Sequence, residues 1–195
     1  MSRTASLSRQ TGETEIALSL NLDGTGEVRL SCGLPFLEHM LNLFCRHGFF
    51  DLTLKAVGDL EVDGHHLVED VGLVLGEAFR QALGDKAGIR RYGSVILPMD
   101  EALVLVAVDL SGRPYLGFDV PLPAERLGNF ETELVEEFLR AFTSRAMCTL
   151  HVKLLDGRNT HHIIEALFKA LARALDEAVA KDQRLSGVPS TKGVL

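Results

Sequence analysis

Apolar residues recur along the chain in two rhythms. Alternation of apolar and polar positions over 15–22, 26–31, 50–62, 94–100, 102–110, 115–120 and 148–155 predicts strands with one face turned to a core. Over 36–48, 70–83, 132–146 and 166–179 the apolar positions fall three and four apart, which predicts amphipathic helices. The segment Asp23, Gly24, Thr25, Gly26 predicts a hairpin turn joining the first two strands.

The order helix, strand, turn, helix occurs twice. Its second helix opens on HHLVE at 65–69 and on HHIIE at 161–165, 96 positions apart in a chain of 195 residues. The pattern predicts a duplicated α+β unit with halves 1–92 and 93–195, in which a mixed, mostly antiparallel sheet carries helices packed on one face. No low-complexity or Pro-rich linker separates the halves, so one compact unit with a shared core is expected.

The repeated motif carries the chemistry. Residues four apart share a helix face, whereas neighbours diverge by roughly 100°. His65 with Glu69, and His161 with Glu165, are therefore placed to meet one ion, while His66 and His162 point elsewhere. Imidazole and carboxylate suit borderline divalent cations, and two copies that each send ligands in two directions predict two metal centres, shared between halves or subunits. A single HHxxE could equally be a solvated helix start; its recurrence with all three ligand types argues against that. HExxH, the zinc hydrolase arrangement, is absent.

Composition narrows the partners. A net charge of -7 argues against nucleic acid or an anionic membrane surface, so any anionic ligand must be small and locally held. No apolar run approaches the roughly 18 residues of a membrane span and the first ten residues lack a secretion signal, which predicts a cytoplasmic protein. Cys32, Cys45 and Cys148, an odd number without a CxxC pair, read as buried thiols.

The segments at 34–41, 46–48, 58–78, 155–175 and 187–195 resemble imidazoleglycerol-phosphate dehydratase over nearly the whole chain. The resemblance implies a ribosomal protein S5 domain 2-like fold and a carbon–oxygen lyase of histidine biosynthesis, which converts D-erythro-imidazole-glycerol phosphate to imidazole-acetol phosphate. It also implies two Mn2+ per active site, binding the substrate's imidazole as imidazolate, and a homo-oligomer of 24 subunits built from trimers with metals bridging subunits. Matched motif by motif, the implied ligands are His39, His65, His66, Glu69, His161, His162 and Glu165. Glu137 holds the aligned place of the eighth, where many relatives have His, and His151 is the alternative. Glu13 is implied as acid/base, with His47 a second candidate, and Arg91, Arg113, Lys169, Ser190, Thr191 and Lys192 as the phosphate set. Leu43 stands where some relatives carry Gln, and its helical spacing marks it as a packing residue.

Two other function classes fit the ligands alone. A non-catalytic metal-binding shell has no use for Glu13 or a phosphate set, and a dimetal hydrolase would release inorganic phosphate where a lyase would not.

Overall fold

The structure, a computed structural model, describes residues 3–193. The first half contains β1 (Thr4–Gln10), β2 (Thr14–Asn21), β3 (Val28–Ser31), α1 (Pro35–Gly48), β4 (Asp51–Gly58) and α2 (His65–Leu83). The second contains β5 (Tyr92–Met99), β6 (Ala102–Asp109), β7 (Tyr115–Asp119), the short strands β8 (Arg126–Leu127) and β9 (Phe130–Glu131), α3 (Leu134–Ala146), β10 (Thr149–Asp156) and α4 (Thr160–Val179).

The predicted single sheet is in fact two four-stranded sheets, of order β1-β2-β4-β3 and β5-β6-β10-β7, with β8 and β9 forming a separate two-stranded pair. Each four-stranded sheet has two antiparallel pairings and one parallel pairing, so the duplication extends to strand order and direction. Ile16, Leu18, Leu20, Leu52 and Leu54 line the inner face of the first sheet, and Val104, Val106, Val108, Leu150 and Val152 that of the second. Helix α2 packs on β1, β2 and β4, and α4 on β5 and β6. The two helix layers then meet between the sheets, α2 against α3 and α1 against α4. Phe79 of α2 joins the halves, with its ring centroid 6.0 Å from that of Phe44, 5.2 Å from Phe50 and 5.4 Å from Phe142.

The predicted hairpin at 23–26 does not form. Helix α1 lies between β3 and β4, and such a crossover demands parallel neighbours. β4 therefore sits between β2 and β3, and the turn arches over its first residue. Asp51 fills the arch, accepting hydrogen bonds from the backbone N–H of Thr25 (2.8 Å), Gly26 (3.1 Å) and Glu27 (3.0 Å) and from the Asn21 amide (3.1 Å). Gly24 is required there, since a Cβ would lie 2.3 Å from the Asp51 carboxyl carbon. Other differences are local. β1, built of small polar residues, was not foreseen; it gains its order from pairing with β2 along its whole length. The strand expected over 50–62 stops at Gly58. Leu43 packs against the core, and the three cysteines are buried, with burial pushing the Cys148 thiol up to about 12.

Glycine sets the closeness of the α2–α3 pair. A Cβ on Gly76 would lie 2.3 Å from the Phe142 carbonyl oxygen, and one on Gly72 would lie 2.7 Å from that of Phe138. Backbone cannot yield as a side chain tip can, so Gly76→Ala must push the helices apart; the expected loss is about 1–3 kcal/mol in urea unfolding. Asp51 provides a pH-dependent counterpart. Burial raises its pKa, but the hydrogen bonds it accepts outweigh burial and hold it below the usual carboxylate range. Its contribution is therefore complete above the unfolded Asp pKa and is lost as pH falls through the folded one. Asp51→Asn is expected to cost about 1–3 kcal/mol at pH 7, with the stability curves of the two proteins converging in acid.

Candidate metal centre and anion cleft

Both histidine pairs open their helices, as the spacing predicts. Asp63 accepts from the His65 N–H (2.7 Å) at the start of α2, and Asn159 accepts from the His161 (2.9 Å) and His162 (3.2 Å) N–H groups at the start of α4. These side chains satisfy donors that a helix start leaves unpaired.

Across the α1–α4 seam, His39 approaches the first two turns of α4. His161 Nε2 lies 3.2 Å and His39 Nε2 3.5 Å from the same Glu165 oxygen, Oε2. Among the described residues, these three form the one group of His, Cys, Asp or Glu whose ligand atoms all lie within 4.8 Å of one another. Lys169, one turn further along α4, donates to the other Glu165 oxygen at 2.7 Å. Burial opposes ionisation of Glu165, but Lys169 above all outweighs it, and the carboxyl stays below its ordinary range. The donor set is two imidazole nitrogens and a carboxylate oxygen, which fits a borderline divalent cation.

The α2–α3 seam carries the related residues in a looser arrangement. His65 and Glu137 line one recess of about 330 Å³ with Glu133, Leu134, Glu136 and Arg140, and Glu69 lies half-buried one turn along α2. His151 is elsewhere, exposed on the outer face of its sheet with its ring 5.4 Å from that of Tyr115.

His66 and His162 diverge from these groups and meet carboxylates instead. His66 Nδ1 is 3.0 Å from Asp59 Oδ2 and its Nε2 3.8 Å from Glu13; His162 Nδ1 is 2.7 Å from Glu101 Oε2 and its Nε2 3.8 Å from Asp100. The Asp59 bond raises the pKa of His66 and the Glu101 bond that of His162. Chiefly through His162, Glu101 falls to about 2. Glu13 is exposed in the β1–β2 turn, which Thr11 shapes by accepting from the Glu13 and Thr14 N–H groups at 3.1 and 2.9 Å. His47 is not beside it. That ring ends α1, where burial first, then Lys169 and Arg173, lowers its pKa.

Five of the six expected phosphate residues come together. Arg91, Arg113, Ser190, Thr191 and Lys192 line a cleft of about 780 Å³ with Tyr92, Leu185 and Pro189. Lys169 stands apart from them, because its ammonium is taken up by Glu165 on its own helix. The cleft depends on the C-terminal segment being fastened: the Gly88 N–H donates to Gly187 O (2.7 Å), the Asp182 N–H to Gly88 O (2.9 Å), and Arg91 Nη1 to Pro189 O (2.9 Å). Asp109 holds the rest of the Arg91 fork at 2.7 and 3.1 Å. Residues 194 and 195, which end the segment that carries the resemblance, lie outside the described residues.

Asp59, Asp100, Glu101 and Asp109 were not singled out from the sequence. The one available signal was an acidic residue at a strand end beside a recognised motif, which many surface residues share. Among the described residues, no helix is long and apolar enough to cross a membrane.

The chain has close counterparts among known proteins. Residues 32–175 match the family model described as imidazoleglycerol-phosphate dehydratase. A protein of that name from Acetivibrio thermocellus is 65% identical over 195 residues, covering 100% of both chains, and one from Caldanaerobacter subterraneus subsp. tengcongensis is 60% identical over 193 residues, covering 99% of this chain and 100% of its own. The crystal structure of the imidazoleglycerol-phosphate dehydratase from Staphylococcus aureus superposes with a TM-score of 0.84 at 42% identity, covering 92% of this chain and 99% of that one. The Pyrococcus furiosus structure, solved in complex with (S)-C348, gives 0.83 at 38% identity, covering 97% and 100%. With its duplicated sheets, its paired HHxxE helices and this full-length similarity, the chain belongs to the imidazoleglycerol-phosphate dehydratase family.

Proposed function

We propose that the chain dehydrates D-erythro-imidazole-glycerol phosphate to imidazole-acetol phosphate in histidine biosynthesis, in the cytoplasm, with two Mn2+ at each active site. The observation that carries this reading is the His39, His161, Glu165 group, in a chain that also builds a cationic cleft despite its net charge of -7. In the reaction a proton leaves one glycerol carbon and hydroxide the neighbour that bears the ring; the enol so formed returns to the ketone.

Each group of residues has a part. His39, His161 and Glu165 would hold one ion, and His65 and Glu69 the other together with Glu137 or His151. Bound there, the two ions would supply Lewis acidity to the nitrogens of the substrate's imidazole. Lys169 keeps Glu165 ionised and turned toward the histidines. Glu13, exposed beside the ring of His66, would move the proton at the glycerol carbons. In the cleft, Arg113 offers a fork, Lys192 a point charge and Ser190 and Thr191 hydroxyl donors for a phosphate ester.

One chain does not complete this site. His66, His162 and the exposed His151 face away from the groups they would serve, and Glu13 and His47 lie against different helices. A homo-oligomer in which neighbouring copies complete each centre, a 24-mer built from trimers, answers that geometry. Of the two candidates for the eighth ligand, Glu137 already shares a recess with His65, whereas His151 would reach an ion from a neighbouring copy. Counting Mn2+ bound to Glu137→Ala and to His151→Ala separates them.

His161→Ala is expected to lower turnover by more than about 100-fold, beyond the effect of losing a group behind a ligand, and to reduce the Mn2+ bound per chain. Near-normal turnover would count decisively against the centre. Lys192→Ala is expected to raise KM by roughly tenfold with a smaller change in kcat, because it removes a charge-assisted contact remote from the reacting carbons. Release of inorganic phosphate in place of a keto product would identify a hydrolase instead.

A further inference from the structure

The second histidine of each pair is held in the same way by non-equivalent parts of the two halves. The His66 and His162 rings stand nearly perpendicular to those of His65 and His161, at 87° and 82°. Each turns Nδ1 to a carboxylate, His66 to Asp59 at 3.0 Å and His162 to Glu101 at 2.7 Å. Asp59 follows β4, ahead of its own histidine pair; Glu101 comes from the β5–β6 turn. Matched strand to strand, β4 with β10, the position in the second half that corresponds to Asp59 is Gly157, which has no carboxylate to offer. Duplication alone would have copied one residue, so two different origins for one contact indicate that the contact itself is what is retained.

The remaining atoms of these carboxylates sharpen the point. Among the described residues, Asp59 Oδ1 is buried without a hydrogen-bond partner, and the carboxylate's hydrogen bonding goes to His66. A buried carboxylate oxygen without a partner is costly, which leaves the bond to the His66 ring as the contact that favours this placement of Asp59. Glu101 Oε1 accepts from the Asn159 N–H at 2.7 Å and the Arg158 N–H at 3.3 Å, which anchors the turn to the segment that starts α4. Oε2 is thereby aimed at His162.

We propose that Asp59 and Glu101 are positioning residues of the metal centres: by accepting the Nδ1–H they fix His66 and His162 as the tautomer whose Nε2 lone pair is free to ligate. The proposal rests on the Mn2+ reading above and assigns these two carboxylates a role within it. A carboxylate behind a ligating imidazole fixes both its tautomer and its orientation.

The geometry yields a test in which one atom changes. In Glu101→Gln the amide oxygen stays with the two backbone N–H groups, so the NH2 must face His162 Nδ1. That nitrogen then becomes the acceptor, the ring proton moves to Nε2, and the lone pair needed for the ion is lost. The assembled, chelator-stripped protein, titrated with Mn2+ by calorimetry, is expected to show roughly 10–100-fold weaker binding for Glu101→Gln at an unchanged melting temperature without metal. Asp59→Asn behaves oppositely, because its second oxygen has no partner and the amide is free to turn its carbonyl to Nδ1–H. It is expected to keep affinity within about threefold, with Asp59→Ala falling into the 10–100-fold range. Binding of Mn2+ by Glu101→Gln and Asp59→Ala with wild-type affinity and stoichiometry overturns the proposal. Failure of the underlying reading looks different, since the unmodified protein then takes up no Mn2+.

Discussion

The pairing of a helix from one half with a helix from the other is the constraint on which the rest depends. His39 can approach Glu165 only because α1 lies along α4, and His65 shares a recess with Glu137 only because α2 lies along α3. Gly72 and Gly76 let the second pair approach to backbone contact, and Phe79 fills the centre among rings from both halves. Close-packed interiors transmit small displacements. The separation of the candidate ligand side chains is thus tied to core packing well away from them, and each sheet serves as the flat support against which a long helix is pressed.

Charge is arranged with the same economy of means. The chain is acidic overall, yet Arg91, Arg113 and Lys192 line one cleft where the C-terminal segment folds over, and Asp109 holds the Arg91 fork. Carboxylates, in turn, are used mainly to orient. Asp51 organises a turn, Asp59 and Glu101 each meet an imidazole, and Glu165 is kept ionised by Lys169. A carboxylate that accepts several directed hydrogen bonds is both charged and fixed, the two properties that the proposed metal centre calls for.

Much of this was legible in local sequence, because metal-ligand geometry on a helix is local. An i, i+4 pair of His and Glu shares a face wherever the helix is placed, so His161 and Glu165 could be grouped without a tertiary structure, and their recurrence at His65 and Glu69 announced the duplication. Leu43 as a packing residue was legible for the same reason, since burial follows from apolar spacing, and the three buried thiols from their odd number and the lack of a CxxC pair. The shared strand plan of the two halves went beyond that reading, which foresaw three strands in the first half against four in the second and missed β1.

Long-range pairings were decided only by the fold. Asp23 to Gly26 has hairpin composition, yet the crossover helix α1 forces β3 and β4 to run parallel and inserts β4 beside β2. β1 has too few apolar residues to declare itself and is a strand because β2 offers it an edge. The partners of His66 and His162 lie on segments whose sequences say nothing of a histidine, and Lys169, which reads as one cation among several, is claimed by a carboxylate one turn away before a phosphate could compete for it. By itself the sequence determined which residue types the chain carries and which helix faces present them, since periodicity and residue type act over a few residues. Which face meets which, and which carboxylate stands behind which imidazole, was left to the packing of two sheets and four helices, where contacts between residues far apart in the chain are chosen together.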